Sequence, residues 1–260
     1  MQGVVSGKVS VSGQDGRAAM MRALGTLRPG SGPADYPFSP EMVSGLKLWL
    51  DAGVPASLWQ DSARTTRVTA DADPVGAWDD LSGNGNNVIQ ATAGSRPTFK
   101  QNIQGGKPII RFDAVDDFLG GDPSDFTPTT IYAVVQTASS ALGRVVDGGS
   151  GNDGILVQSS LYAARFGSAS NRTIADVGAA FHVLGAVSGA PALTIYDGVE
   201  TSTGNTEAFA SFSVFKVGAF SAGTQPFAGD IAALLIYTGT QTAYQRAAIS
   251  AYLKQRWGTP

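Results

Sequence analysis

From Leu46 onward the chain alternates short apolar runs with clusters of Gly, Asn, Asp, Ser and Pro, the pattern of strands joined by tight turns. The runs expected as strands are 46–51, 108–113, 129–137, 155–158, 181–188, 192–197, 213–219 and 229–237. In Phe181-His182-Val183-Leu184-Gly185-Ala186-Val187 both alternating sets are largely apolar, as a strand covered on both faces requires. Near the end the period lengthens. Tyr244, Ala248 and Tyr252 line one stripe and Ile249, Leu253 and Trp257 the next, while Arg246, Ser250 and Lys254 fall elsewhere, which predicts one amphipathic helix. Thr242 with Gln245 makes a capping box, and Gly258 follows the last apolar residue as a stop. No repeat with a period of about 20 to 50 residues is present, which argues against a propeller or solenoid.

Residues 1–40 follow a different pattern. A Gly/Ser/Val stretch leads into helix-compatible Ala18, Ala19, Met20, Met21, Ala23 and Leu24, and Pro29-Gly30-Ser31-Gly32-Pro33 then reads as a linker. Met20, Leu24 and Leu27 form a short apolar stripe suited to docking on another protein, with packing on its own domain as the alternative. The expected division is an attachment segment and linker over 1–40 and a folded domain over 41–260. The start lacks the basic residues and continuous apolar run of a signal peptide, and no stretch reaches the roughly 18 to 20 apolar residues of a membrane span. Neither export by that route nor membrane insertion is expected.

Composition narrows the class. With 33 Gly and 13 Pro in 260 residues, 43% hydrophobic and only 15% charged, many short strands are favoured over long helices, and the core can be complete as one large β domain or two small ones. A net charge of -3 with scattered Lys and Arg gives no footprint for a phosphate backbone, so nucleic acid is excluded as an expected partner. The absence of Cys removes disulfides, thiolate nucleophiles and Cys-based metal sites.

Several motifs in order carry a family resemblance. They are Leu46-Lys47-Leu48-Trp49-Leu50-Asp51-Ala52, then Trp78-Asp79-Asp80-Leu81-Ser82-Gly83-Asn84-Gly85-Asn86-Asn87, then Arg96-Pro97-Thr98-Phe99. Ile110-Arg111-Phe112-Asp113 follows with Asp116-Asp117-Phe118-Leu119, where Ala114 stands in place of a usual glycine. Phe181-His182-Val183, Ile195-Tyr196-Asp197-Gly198 and Phe227-Ala228-Gly229-Asp230-Ile231 complete the series with the final helix. Over about residues 44 to 258 the chain resembles the concanavalin A-like lectin/glucanase superfamily, in particular laminin G-like modules of bacteriophage virion and bacterial surface proteins. The resemblance implies an all-β jelly-roll sandwich of two antiparallel sheets, with the N-terminal extension and the C-terminal helix added. It implies no single activity.

Catalytic constellations are poor. The Glu-x-Asp-x-x-Glu strand that glucanases on this fold resemble one another in is absent, and the glutamates are Glu41, Glu200 and Glu207 only. A retaining glycosidase needs two carboxylates about 5 Å apart, so an Asp pair would have to substitute. His182 is the single histidine, sits in an expected central strand, and has no Gly-x-Ser-x-Gly elbow to serve. One His and no Cys cannot assemble a zinc site. Calcium fits the oxygen-rich loops better: Asp79, Asp80, Asn84, Asn86 and Asn87 in one, Asp113, Asp116 and Asp117 in the other, with Asp116 and Asp117 first in order and turn chemistry as the competing reading. Aromatic platforms for a pyranose face are sought among Trp59, Trp78, Tyr162, Tyr196, Phe166 and Phe220, against the expectation that most aromatics of a sandwich are core.

The resemblance and the N-terminal segment together lead to an expected role as a non-catalytic virion protein of a tailed bacteriophage. It would be assembled in the host cytoplasm and then extracellular, binding other virion proteins through residues 1–40 and a host surface glycan through the jelly roll. No cofactor is required, with calcium at the acidic loops as the one candidate, and homo-oligomerisation, a trimer being one such arrangement, would multiply weak sugar contacts. A capsid decoration protein without sugar binding and a polysaccharide-degrading enzyme are the alternatives.

Overall fold

In the computed structural model, residues 38–121, 125–137, 139–148, 153–167, 171–220 and 223–260 are described. They belong to one compact unit, Phe38–Pro260. The attachment stripe Met20, Leu24 and Leu27 lies outside the described residues. The folded unit begins slightly before residue 41, because buried Pro40 accepts a 3.0 Å hydrogen bond from the Tyr237 hydroxyl.

Two antiparallel sheets form the sandwich. The first runs β15 (Val199–Ser202), β14 (Leu193–Tyr196), β13 (Gly178–Val187), β8 (Thr130–Thr137), β17 (Ala228–Tyr237), β6 (Lys107–Asp113) and β5 (Thr98–Gln104). β1 (Leu46–Asp51) also pairs with β17, over Ala233 to Tyr237, so it shares that edge with β6, which pairs over Ala228 to Ile231. The second sheet runs β12 (Arg172–Asp176), β11 (Leu161–Arg165), β10 (Gly154–Gln158), β9 (Gly143–Asp147), β16 (Phe215–Val217), β7 (Leu119–Gly121), β4 (Val88–Ile89), β3 (Ala77–Trp78) and β2 (Leu58–Trp59). The all-β jelly-roll class expected from the sequence is the observed one.

β-Branched and leucine-rich runs place β8, β13 and β17 at the centre of the first sheet, where Ile131 to Val135, Val183 to Ala186 and Ile231 to Tyr237 are buried whichever way they point. Inward side chains such as Ile131, Ala133, Leu234 and Ile236 share one core with Tyr162, Phe212, Phe215 and Trp78, while Tyr132, Leu235 and Tyr237 lie on the opposite face of the sheet. The other face is covered by the helix α1 (Ala243–Trp257), whose Ile249, Leu253 and Trp257 are buried. Polar contacts tie it to the sheet: Lys254 donates to the Asp197 carbonyl at 3.1 Å and Arg256 to Asp51 at 2.6 Å, while Gln104 of β5 donates to the Trp257 carbonyl at 2.8 Å. The capping box forms as the sequence predicts, and Gly258 closes the helix at φ 61°, the left-handed conformation that glycine adopts without a Cβ clash. Among the described residues no helix is long and apolar enough to cross a membrane.

Candidate functional site

The aromatic residues selected from sequence divide sharply. Trp78 and Tyr162 are fully buried in the core and Phe166 nearly so, which corrects their assignment to a sugar-binding surface. Their strands turn these rings inward to fill the space between the sheets, and no ring face reaches solvent. Trp59 is half-buried, but the Arg67 guanidinium lies 3.3 Å from the ring centre and the indole N–H donates to Asp79 at 2.7 Å. Tyr196 is stacked on His182 with ring centres 4.7 Å apart. Phe220 is half-buried with the Arg144 guanidinium 5.3 Å from its centre. The exposed platforms expected from sequence are thus already engaged by the protein's own side chains.

His182 has a structural environment. Its Nδ1 lies 2.7 Å from Asp197 Oδ2 and its Nε2 3.1 Å from the Tyr196 hydroxyl. Burial, and then the Asp197 charge, push the Tyr196 hydroxyl above its ordinary pKa, the opposite of what a tyrosine nucleophile needs. Asp197 Oδ1 also accepts the Val183 N–H at 2.8 Å, so the trio locks the β14–β15 hairpin onto β13.

The two acidic loops also part ways. Asp79 is occupied by Arg64 at 2.6 Å and by Trp59. Asp80 accepts from the Trp49 and Ser82 N–H groups at 2.9 Å through Oδ1, and from the Ser82 hydroxyl at 2.7 Å and the Asn86 N–H at 3.0 Å through Oδ2. Asp79 and Asp80 are therefore corrected from calcium ligands to loop organisers, since four internal donors leave Asp80 without lone pairs for a cation. In the second loop Asp113, Asp116 and Asp117 bring one carboxylate oxygen each within 4.8 Å of one another. Asp117 is buried, and burial followed by the Asp113 charge pushes its carboxyl up to about 6. Some of the oxygens serve the turn: Asp117 Oδ2 accepts the Asp113 N–H, Asp113 Oδ1 the Val115 N–H, and Asp116 Oδ2 the Ser95 hydroxyl. Three carboxylates would supply part of the six to eight oxygens that calcium takes, with the remainder from water.

A cleft that the sequence did not announce lies at one end of the first sheet. It has a volume of about 300 Å³ and is lined by Thr130, Val187, Ser188, Pro191, Leu193 and Gln241, with Arg246 at its side. Strand register assembles it: Thr130 pairs with Val187 on one side and Tyr237 on the other, so the start of β8, the end of β13 and the β17–α1 link converge. The polar groups around it are mostly satisfied. The Thr129 hydroxyl lies 2.7 Å from the Gly239 carbonyl, the Tyr132 hydroxyl donates to Gln241 Oε1 at 3.1 Å, and Arg246 donates to the Gln241 carbonyl at 2.6 Å. The Arg246 charge is neutralised by a two-point contact with Glu200 at 2.6 and 2.8 Å. Two atoms are left over. Thr130 Oγ1 and Gln241 Nε2 are buried without a hydrogen-bond partner, on residues that are 0% and 3% exposed. Such orphans are costly in a folded interior, and both residues line the cleft. Among the described residues, those that line the cleft carry no carboxylate. Thr130 opens an apolar run and Gln241 precedes a helix cap, so in sequence both read as boundary residues.

No family model matches this chain, and no curated protein matches it in sequence. Solved structures do. The botulinum neurotoxin serotype D binding domain aligns with a TM-score of 0.53 at 7% identity, covering 83% of this chain and 54% of that one. The serotype D ligand binding domain in complex with N-acetylneuraminic acid gives 0.52 at 7% over the same shares. A Trypanosoma rangeli sialidase in complex with the inhibitor DANA gives 0.52 at 12%, covering 91% of this chain and 37% of that one. The chain spans about half the length of the neurotoxin domains it matches. At these identities the likeness shows the fold, a jelly-roll β-sandwich.

Proposed function

We propose that this chain is a recognition module, in which the jelly roll presents the cleft at the end of its first sheet to a saccharide on a cell surface. The observation that carries the reading is the pair of buried, unpartnered polar atoms of Thr130 and Gln241 in a cleft of ligand size. Two further points favour binding over turnover. Among the described residues the cleft lining carries no carboxylate, so neither acid nor nucleophile for glycoside cleavage is supplied by them there. Glu200 and Glu207, the glutamates nearest in type to such a role, are engaged by Arg246 and Arg172. Neurotoxin binding domains on the same fold, one of them in complex with N-acetylneuraminic acid, fit this reading by analogy.

The proposal extends to context. The motif resemblance and the separate 1–40 segment support a receptor-binding protein of a tailed bacteriophage virion, attached to other virion proteins through Met20, Leu24 and Leu27 and repeated in a homo-oligomer, as a trimer, so that weak contacts gain avidity. Calcium belongs to the proposal only at Asp113, Asp116 and Asp117, where its charge would offset the burial, and after it the Asp113 charge, that raise Asp117.

The test is binding of the purified full chain to host-type cells and to an array of bacterial surface glycans, with and without calcium, while released product is followed. Saturable binding without product is expected. Product release would replace the reading with a polysaccharide-degrading enzyme, and absence of binding to every cell and glycan would replace it with a capsid decoration role.

A further inference from the structure

We infer that the cleft is built to seat the N-acetyl group of an acetamido sugar. This rests on the recognition reading above and narrows its ligand class. An acetamido group presents a carbonyl acceptor, an N–H donor and a methyl group in one plane. The cleft offers the complement. Gln241, its Oε1 engaged by the Tyr132 hydroxyl, leaves Nε2 as a donor for the carbonyl. The Thr130 hydroxyl, equally unpartnered, can accept the amide N–H or donate to the carbonyl. Val187, Pro191 and Leu193 supply an apolar wall for the methyl.

Charge selects further. Among the described residues Arg246 is the cation of the cleft lining, yet Glu200 holds it at two points and the Gln241 carbonyl takes a third donor, so the seat they form is close to neutral. A carboxylate or phosphate would find no free positive partner there, whereas a neutral amide meets both orphan atoms. A sugar bearing only hydroxyls would leave the apolar wall unused and lose the methyl contribution. The volume of about 300 Å³ lies at the small end of ligand sites and fits the acetamido group together with the ring edge that carries it.

The test is saturation-transfer NMR and titration of the full chain with N-acetylglucosamine, N-acetylgalactosamine and N-acetylneuraminic acid, each beside its de-N-acetylated counterpart, with N-methylacetamide as the minimal competitor. The acetyl methyl protons are expected to receive the strongest transfer, and the de-N-acetylated sugars to bind at least about tenfold more weakly. Thr130→Val, of nearly the same shape, should weaken binding by about three- to tenfold. It should melt no lower than the parent, because the hydroxyl it removes has no partner in the free protein. Gln241→Met provides a second variant with the same expected loss. Glycan-array binding that ignores the acetyl group, or that Thr130→Val leaves unchanged, would overturn the acetamido seat while leaving saccharide recognition standing. Failure of every saccharide would overturn both.

Discussion

The two sheets of this sandwich are held by different forces. In the first, β8, β13 and β17 run for eight to ten residues and are buried on both faces, one against the core and the other beneath α1. In the second, the strands run from two to five residues, and the long loops between β2, β3 and β4 are fixed by side chains bonded to backbone. Arg96 alone donates to the carbonyls of Gln90, Gln60 and Ala91, and Asp73 accepts from the Thr69 and Ala70 N–H groups. Apolar burial is non-directional and makes a rigid slab, whereas polar staples are directional and make shaped loops. The cleft opens where the slab ends, so a rigid wall meets variable turns.

The largest blow to this contrast is struck at the slab. Trp257→Ala removes a fully buried indole from beneath the first sheet and should cost about 3–5 kcal/mol in urea unfolding, exposing the outer face of β1 and β17. A cost below about 1 kcal/mol would mean that α1 is an ornament and the slab is held from the core side alone. Asp80→Ala strikes the staples instead. It strands the N–H groups of Trp49, Ser82 and Asn86 and should cost about 2 kcal/mol, with amide exchange rising first in 79–89 and last in β8 and β17. Equal exchange in both sheets would dissolve the distinction.

The same contrast explains what the sequence discloses. The runs 46–51, 129–137, 181–188 and 229–237 were legible because double-sided burial demands unbroken apolar residues, and the observed strands match them within a few residues at each end. The second sheet is mostly illegible in sequence: the apolar pattern marks only β10 and β16 there and passes over β9, β11 and β12. In β11 and β12 half of the apolar residues are Ala, and Arg144 and Asp147 are buried as an ion pair inside β9, so neither period nor polarity announces a strand. The helix was read to its cap because capping is local chemistry. The cleft is hidden in sequence for the opposite reason: Thr130 and Gln241 are 111 positions apart, and only the register of β8 on β17 joins them.

A smaller effect tests the passage between the sheets. Asp117 lies on the turn from β6 to β7, and its folded carboxyl titrates near 6 against an ordinary value of 3.8, chiefly through burial. A carboxyl raised on folding binds its proton more tightly in the native state, so stability is highest below the ordinary value and falls as pH rises through about 6. Asp117→Asn should abolish that fall and stabilise the protein at pH 7 by on the order of 2 kcal/mol or less. Calcium added to the parent should recover part of the same gain if the turn holds the ion. Parallel stability curves for parent and variant between pH 4 and 8 would show that Asp117 titrates as an ordinary surface carboxyl.

The smallest effect sits three residues earlier on that turn. Ala114 adopts φ 69°, a left-handed conformation that costs a residue with a Cβ on the order of 1 kcal/mol, and its N–H is held by the Phe227 carbonyl at 3.1 Å, so the backbone cannot relax away from it. Glycine would remove the strain but enlarge the conformational freedom of the unfolded chain, a loss of about 0.4–1 kcal/mol. The two terms nearly cancel, and Ala114→Gly should therefore raise stability by no more than about 0.5 kcal/mol, with Ala72→Gly at φ 68° as a matched control in an exposed turn of the stapled region. A gain well above 1 kcal/mol at position 114 alone would mean that the crossing from slab to staples stores strain beyond its own dihedral angle. A loss there, with position 72 neutral, would mean instead that the Ala114 methyl helps to hold the carboxylate turn in place.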